Sequence, residues 1–260
     1  MNDQLRQTLG AELYQALRQG QMIAPLTSRY PDIEIADAYA IQQHMLSLRL
    51  ADGECVVGKK IGVTSQAVMD MLGVFQPDFG WLTDAMLFNP GDKIPINTLI
   101  QPKAEGEIAF VLNQPLKGPG VTVANVLAAT EGVMSCFEIV DSRIRNWNIR
   151  IQDTVADNAS CGVFVLGDQL VSPHALDLAT CGMVLEKNGE IAATGAGAAA
   201  LGHPANAVAW LANTLGEYQI SLNAGDIVLS GSLAAMVPVQ AGDHLSITIG
   251  GLGACSVRFT

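Results

Sequence analysis

Residues 105–112 read Glu-Gly-Glu-Ile-Ala-Phe-Val-Leu, an alternation that only an extended strand can sort into two faces. Glu105, Glu107, Ala109 and Val111 share one parity; Gly106, Ile108, Phe110 and Leu112 share the other. The second parity is apolar and enters a core. On the first, two carboxylates stand side by side with Cα atoms about 7 Å apart. Like charges on a half-buried strand repel, and something must offset them. A divalent cation does so, because hard cations prefer carboxylate oxygen. The alternative is a strand edge with two solvated acids, and Glu-x-Glu alone does not decide between them.

A second short strand, Cys136-Phe-Glu-Ile-Val140, carries one acid among apolar neighbours. Glutamate is rarely buried unless paired or bound to a metal. With Glu138 next to Glu105 and Glu107, three carboxylates on adjacent strands make an open site for Mg²⁺ or Mn²⁺. A salt bridge from Glu138 to Arg143 or Arg145 is the competing account.

The chain has 260 residues, 49% of them hydrophobic, enough for one large domain or a core with a smaller appendage. A net charge of −11 gives no electrostatic footprint for nucleic acid. The five cysteines are scattered, without a Cys-x-x-Cys pair, which points to reduced thiols and a cytoplasmic protein, with neither a zinc site nor a disulfide framework. No stretch approaches a membrane span and none reads as a signal peptide.

Leu5, Leu9, Leu13 and Leu17 recur at helical spacing, predicting a helix over 3–19. A second follows from about Asp37 and ends at Gly53. Residues 55–63 read as a strand holding Lys59 and Lys60; alternation puts one on the core side, where it needs a partner or a role, unless both snorkel to solvent. A short helix is expected over 66–72. Gln76-Pro-Asp-Phe-Gly80 reads as a loop, in which Asp78 is either a turn residue or a base held against an apolar wall. Beyond residue 93, short strands separated by Gly, Pro and Asp turns dominate, with helices near 124–130 and 206–215; this texture suggests a rolled or sandwiched β core. In the polar stretch 153–162, Asp157, Asn158 and Ser160 either line a pocket or cap and turn the chain. His203, before Pro204, reads as a helix start. There is no Gly-x-Ser-x-Gly elbow, and the glycine-rich segments lack the context of a phosphate loop.

Taken together, Gly58-Lys-Lys-Ile-Gly-Val-Thr-Ser65, Gln76-Pro-Asp-Phe-Gly80, Ala104-Glu-Gly-Glu-Ile-Ala-Phe110, Glu138-Ile-Val-Asp-Ser-Arg-Ile144, residues 153–162 and Gly225-Asp-Ile-Val-Leu-Ser-Gly231 resemble the 2-keto-4-pentenoate hydratases. These belong to the fumarylacetoacetate hydrolase superfamily and serve the meta-cleavage degradation of aromatic compounds. The resemblance runs through nearly the whole chain in order. It implies an α+β fold, a mixed β-sandwich roll preceded by a smaller helical region. Residues 1–80 would form that region with an active-site loop, and 81–260 the β-rich catalytic core. It also implies Mg²⁺ or Mn²⁺ on Glu105, Glu107 and Glu138, acid/base work by Lys60 and Asp78, and a pocket role for Ser160 toward substrate. Relatives form homo-oligomers, and some associate with 4-oxalocrotonate decarboxylase. Gly106 stands where relatives carry alanine, which would loosen the strand slightly.

The implied reaction is hydration of 2-hydroxypenta-2,4-dienoate to 4-hydroxy-2-oxopentanoate. The competing readings are 4-oxalocrotonate decarboxylase, a sister enzyme using the same acids, and a non-catalytic partner subunit. Phe75, Phe79 and Trp81, without a nearby Lys or Arg in their loop, suit a wall around an apolar substrate end and favour hydration.

Overall fold

A computed structural model of the chain describes residues 1–65, 69–70 and 73–260. The helix expected over 66–72 falls largely outside these.

The N-terminal layer is helical. Helix α1 (Asp3–Gln19) starts at Asn2, whose side chain accepts from the Leu5 amide at 2.9 Å, and stops at Gly20 in the left-handed conformation. Its Leu9, Leu13 and Ala16 are buried against α3 (Ile35–Ala51), which turns Ala38, Ile41 and Met45 inward; α2 (Leu26–Arg29) is tied to α1 by the Arg29–Glu12 ion pair. From α3, the Gln42 amide donates to the carbonyls of Phe79 and Val155, both at 2.9 Å. Tyr39 stacks on Phe79 with ring centroids 4.5 Å apart. The helical layer is thus fastened to the sheet edge that carries Asp78.

The larger sheet contains β1 (Val56–Gly62), β2 (Asp78–Thr83), β3 (Leu87–Phe88), β5 (Lys103–Leu112), β6 (Thr130–Val140), β7 (Cys161–Leu166), β10 (Ile227–Leu229) and β11 (Val237–Pro238). Its order is β2-β1-β10-β5-β6-β7-β3, with β11 on the end of β5. The smaller sheet runs β4-β13-β12-β8-β9, built from β4 (Lys93–Ile94), β8 (Gly182–Lys187), β9 (Glu190–Ala196), β12 (His244–Ile249) and β13 (Gly253–Phe259). Both are mixed: β1–β10, β3–β7 and β4–β13 pair in parallel, the other pairs antiparallel. Among the described residues, three further α-helices follow: α4 (Val123–Ala128), α5 (Ile151–Ala156) and α6 (Pro204–Glu217), the last capped by the His203 ring as its sequence suggests.

One face of the larger sheet packs on the main core and the smaller sheet. Gly106 shows how closely: a Cβ there would lie 2.4 Å from Met183 Sδ and 3.2 Å from Ile247 Cγ2. Glycine at 106 makes room for the second sheet, which is a packing reason for the departure noted above. The other face closes on itself. Leu82 of β2 and Phe164 of β7 stand on the far flanks of the strand order, yet both join one cluster with Met86, Ala109, Cys136, Cys161 and Leu229. Only a rolled sheet brings them together. The architecture is the expected α+β sandwich roll, and the inside of the roll holds the acids.

Three local expectations change. Asp78 is the first residue of β2, not a loop residue, and it is buried. Lys59 and Lys60 are both buried, at 2% exposure each, because β1 is internal and covered on both faces. Phe79 and Trp81 point away from the inside of the roll, toward Tyr39 and Lys59 respectively, while Phe75 is 95% exposed. Those three aromatics do not wall a site inside the roll. Among the described residues, no helix is long and apolar enough to cross a membrane.

Candidate metal centre

The register of β5 and β6 sets the centre. Glu105 lies directly opposite Glu138, and Glu107 opposite Cys136, one step deeper on the same face. Carboxylate oxygens of Glu105, Glu107 and Glu138 all lie within 4.8 Å of one another. Glu107 and Glu138 have no exposure; Glu105 is partly exposed, toward the mouth. The three expected ligands therefore converge, and neither Arg143 nor Arg145 is the partner of Glu138.

That partner is Lys60. Its Nζ is 3.2 Å from Glu138 Oε1, close enough for a charge pair but without the alignment of a hydrogen bond. It also donates to the Ala159 carbonyl at 3.1 Å. Burial opposes a charged lysine, but the carboxylates of Glu138, Asp78 and Glu105 outweigh it, and Lys60 is held protonated well beyond its ordinary range. Lys59, one residue earlier, faces the other way and pairs with Asp226 at 2.9 Å beneath the Trp81 ring.

Asp78 sits beside Lys60 around Gly62. A Cβ on Gly62 would lie 2.3 Å from Asp78 Oδ1 and 3.2 Å from Lys60 Nζ, so the missing side chain is the seat of this carboxyl. Burial pushes the Asp78 carboxyl up; Lys60 pulls it back and the Glu138 charge adds to the rise. Burial also raises Glu107, with Glu138 adding to it, and brings Glu105 to about 7, again with Glu138 contributing.

The centre has four carboxyl groups against one ammonium. Among the described residues, Glu107 Oε1, both Glu138 oxygens and both Asp78 oxygens have no aligned hydrogen-bond donor, although each is buried. Glu107 Oε2 accepts from the Gly231 amide at 2.8 Å. Orphaned carboxylate oxygens in a low-dielectric site are costly. An all-oxygen donor set with excess negative charge is what a hard divalent cation matches, so the residues fit Mg²⁺ or Mn²⁺.

The turn Asn158–Ser160 holds the lysine side of the centre. All three residues have positive φ (55°, 50° and 54°), a conformation that costs a non-glycine residue roughly 1–2 kcal/mol. Tertiary contacts impose it. The Asn158 side chain accepts from the Trp81 amide at 2.8 Å and donates to the Trp81 carbonyl at 2.9 Å, as a neighbouring strand would. Gly80 allows the approach, since a Cβ there would lie 2.4 Å from the Asn158 carbonyl oxygen. Ser160 is buried in this turn, its hydroxyl 3.2 Å from that of Thr154. Sequence reasoning named Asn158 and Ser160 but missed Ala159, whose contribution is a backbone carbonyl, and Gly231, whose contribution is an amide. Asp153 is a strap elsewhere: it accepts from the Thr27 amide and hydroxyl and the Arg150 amide.

Residues 49–260 match the family described as fumarylacetoacetate (FAA) hydrolase C-terminal. A 2-hydroxyhexa-2,4-dienoate hydratase of Comamonas testosteroni is 58% identical over 259 residues, covering 99% of this chain and 98% of the relative. A 2-hydroxypent-2,4-dienoate hydratase of Pseudomonas putida is 65% identical over 222 residues, 85% of this chain and 100% of that one. Among solved structures, 4-oxalocrotonate decarboxylase from Pseudomonas putida G7, complexed with magnesium and adipate, superposes with a TM-score of 0.98 at 38% identity, covering 100% of this chain and 99% of that one.

Proposed function

The chain belongs to the fumarylacetoacetate hydrolase family, and from that premise we propose that it is a hydro-lyase adding water to 2-hydroxypenta-2,4-dienoate to give 4-hydroxy-2-oxopentanoate, in meta-cleavage degradation of aromatic compounds. The observation that carries this reading is near-full-length identity of 58% and 65% to hydratases of short 2-hydroxydienoates.

Glu105, Glu107 and Glu138 would hold Mg²⁺ or Mn²⁺. When bound, the cation supplies Lewis-acid polarisation of a 2-keto acid oxygen. The chain's own residues supply the rest. The substrate must gain a proton at C5 and lose its enol proton, then gain hydroxide at C4 and a proton at C3. Asp78, buried beside Lys60 and with its carboxyl pushed up from the ordinary carboxylate range by burial, is the group able to carry these protons. Lys60 stays charged between Glu138 and the Ala159 carbonyl; it orients Asp78 and balances negative charge as it develops. Ser160, in the same turn, is the hydroxyl available to the substrate or its water. The roll excludes bulk water, which strengthens each of these interactions.

A decarboxylase reading is favoured by one observation, the full-length superposition on 4-oxalocrotonate decarboxylase. The acids cannot separate the two reactions. Product analysis can: the purified protein with Mg²⁺ is fed 2-hydroxypenta-2,4-dienoate and, separately, 2-oxohex-3-enedioate. Hydration of the first with little CO₂ from the second is expected. Comparable or faster CO₂ release would transfer the assignment to the sister enzyme. Assembly into a homo-oligomer, and association with a decarboxylase of this fold, go with the same reading and are read by light scattering of the chain alone and mixed.

A further inference from the structure

The strand that carries Asp78 is an edge strand. Among the described residues β2 has β1 on one side and no strand on the other. Every residue of β2 is nevertheless buried. Backbone groups on a covered edge need partners, and where no strand supplies them side chains must. Near the middle of β2, the Asn158 side chain accepts from the Trp81 amide and donates to the Trp81 carbonyl. At the near end, the Phe79 carbonyl, one residue from Asp78, accepts from Gln42 of α3 at 2.9 Å. At the far end, the Thr83 hydroxyl accepts from Arg49 Nη2, again of α3, at 2.9 Å. Gln42 and Arg49 stand two helical turns apart on one face, so α3 meets β2 at both ends.

Gln42 does more than cover an edge. Its amide nitrogen carries two N–H groups, and the second donates to the Val155 carbonyl at 2.9 Å. Val155 belongs to α5 and leads directly into Asn158, which is bonded back to Trp81. The hydrogen bonds therefore close a triangle of β2, α3 and the end of α5. Asp78 adjoins the corner at Phe79, and Ala159 and Ser160 follow the corner at Asn158. Lys60 reaches between these corners, opposite Gly80 in the ladder and bonded to the Ala159 carbonyl. Both partners of Gln42 are carbonyls, so only its nitrogen can face them. Its oxygen is buried with no donor among the described residues. Glutamine serves here for its two donors, and its acceptor goes unused.

We propose that Gln42 is a positioning residue for the proton chemistry: by spanning Phe79 and Val155 it sets the separation between Asp78 and the turn that carries Ala159 and Ser160. This rests on the hydratase reading. Without the span, Asn158 still pins β2 at Trp81, and the Asp78 end of the strand swings about that point, away from its seat at Gly62. The three metal ligands, on β5 and β6, lie outside the triangle. Substrate and metal then bind as before, and the reaction slows, since displacing a reacting group by about 1 Å costs on the order of 10²-fold.

The test follows turnover of the dienol by the whole chain with Mg²⁺, and reads Mn²⁺ affinity separately by electron paramagnetic resonance. Gln42→Met has a similar volume and no donor; it should lower kcat about ten- to hundredfold with KM and Mn²⁺ affinity within about twofold of wild type. Gln42→Glu, which as the neutral acid favoured by burial keeps one donor, should lower kcat by a smaller factor. Thr83→Val, at the opposite end of the same strand, should lower the thermal midpoint and leave kcat within about twofold. A double-mutant cycle separates positioning from mere fastening. In an Asp78→Asn background, Gln42→Met should change kcat by less than about twofold, because the group it positions is already gone. The full Gln42→Met loss in that background, an equal loss of kcat in Thr83→Val, or wild-type kcat in either Gln42 variant overturns the proposal and leaves the hydratase reading standing. Failure of wild type to hydrate the dienol removes that reading and this assignment with it.

Discussion

Glu138 and Arg143 lie five residues apart, both without solvent exposure, and their surroundings differ in kind. Arg143 is closed. Its Nε donates to Asp157 Oδ1 at 2.6 Å, its Nη2 to the Asp157 carbonyl at 2.5 Å, and its Nη1 to the carbonyls of Cys161 and Asp141. Asp157 Oδ2 is filled by the Arg143 amide and the Ser142 hydroxyl. Glu138 is open: two buried oxygens, one ammonium beside them, and two further glutamates on its flank. The closed pair stitches the chain after β6 to the turn after α5. The open cluster carries unbalanced buried charge, which a bound divalent cation would offset. Buried charge by itself is thus not a mark of function; unbalanced buried charge is.

The largest effect should come from withholding the balancing ion. Chelation should abolish hydration and added Mg²⁺ or Mn²⁺ restore it, and full turnover by exhaustively stripped protein would be incompatible with the metal assignment. Glu107→Gln should keep the fold while weakening metal binding, since an amide oxygen lacks the full charge; normal Mn²⁺ affinity in that variant would mean that the ligand set is wrong. At the closed pair the outcome is the reverse. Arg143→Met strands Asp157 and should cost about 3–5 kcal/mol of stability, lowering the thermal midpoint by roughly 6–20 °C. If that protein melts like wild type, the distinction between the two clusters collapses.

Asp78→Asn sharpens the comparison inside the open cluster. It should lower kcat by about 10²-fold or more with little change in thermal midpoint, because an uncharged group replaces one that burial already disfavours as an anion. Parallel loss of stability and rate would mark Asp78 as structural.

The smallest effect is one of pH. Glu105, raised to about 7, is favoured as the neutral acid by the metal-free fold. Its folded value exceeds its ordinary 4.5, so its contribution to metal-free stability is full below about pH 4.5 and is lost as pH rises through 7. Metal binding needs the ionised form. The stabilisation that Mg²⁺ confers should therefore be small at pH 6 and larger at pH 8, by about 1 kcal/mol. Equal thermal shifts at the two pH values would count against a raised ligand carboxyl.

The acids were legible because strand alternation is local: the parity of Glu105 and Glu107 is written in eight consecutive residues. The same rule underestimated Lys59 and Lys60, since it tells which faces a strand has but not that both are covered. Asp78 was misplaced for a related reason. Pro77 and Gly80 look like turn residues, yet Gly80 is glycine because Asn158 presses on it from the other end of the roll. The left-handed turn 158–160 carries no glycine signal; its strain is imposed by Trp81, far away in sequence. The aromatic wall failed because its parity was not followed through: Phe79 and Trp81 alternate with Asp78 and Gly80 and so face away from them.

The pairing of β5 with β6 restricts which chain-length changes the site tolerates. Glu105 faces Glu138 across an unbroken ladder, and the register irregularities fall outside the acids, between Val111 and Leu112 and, toward β7, between Ile139 and Val140. A residue inserted or deleted between Glu105 and Glu107, or between Cys136 and Glu138, would turn one acid to the opposite face and into the second sheet. One inserted beyond Val111 would be absorbed where the ladder already yields. A library of single-residue insertions should accordingly show a sharp window of intolerance a few residues wide on each strand, in which metal affinity disappears before the fold does, flanked by positions where lengthening the chain costs almost nothing.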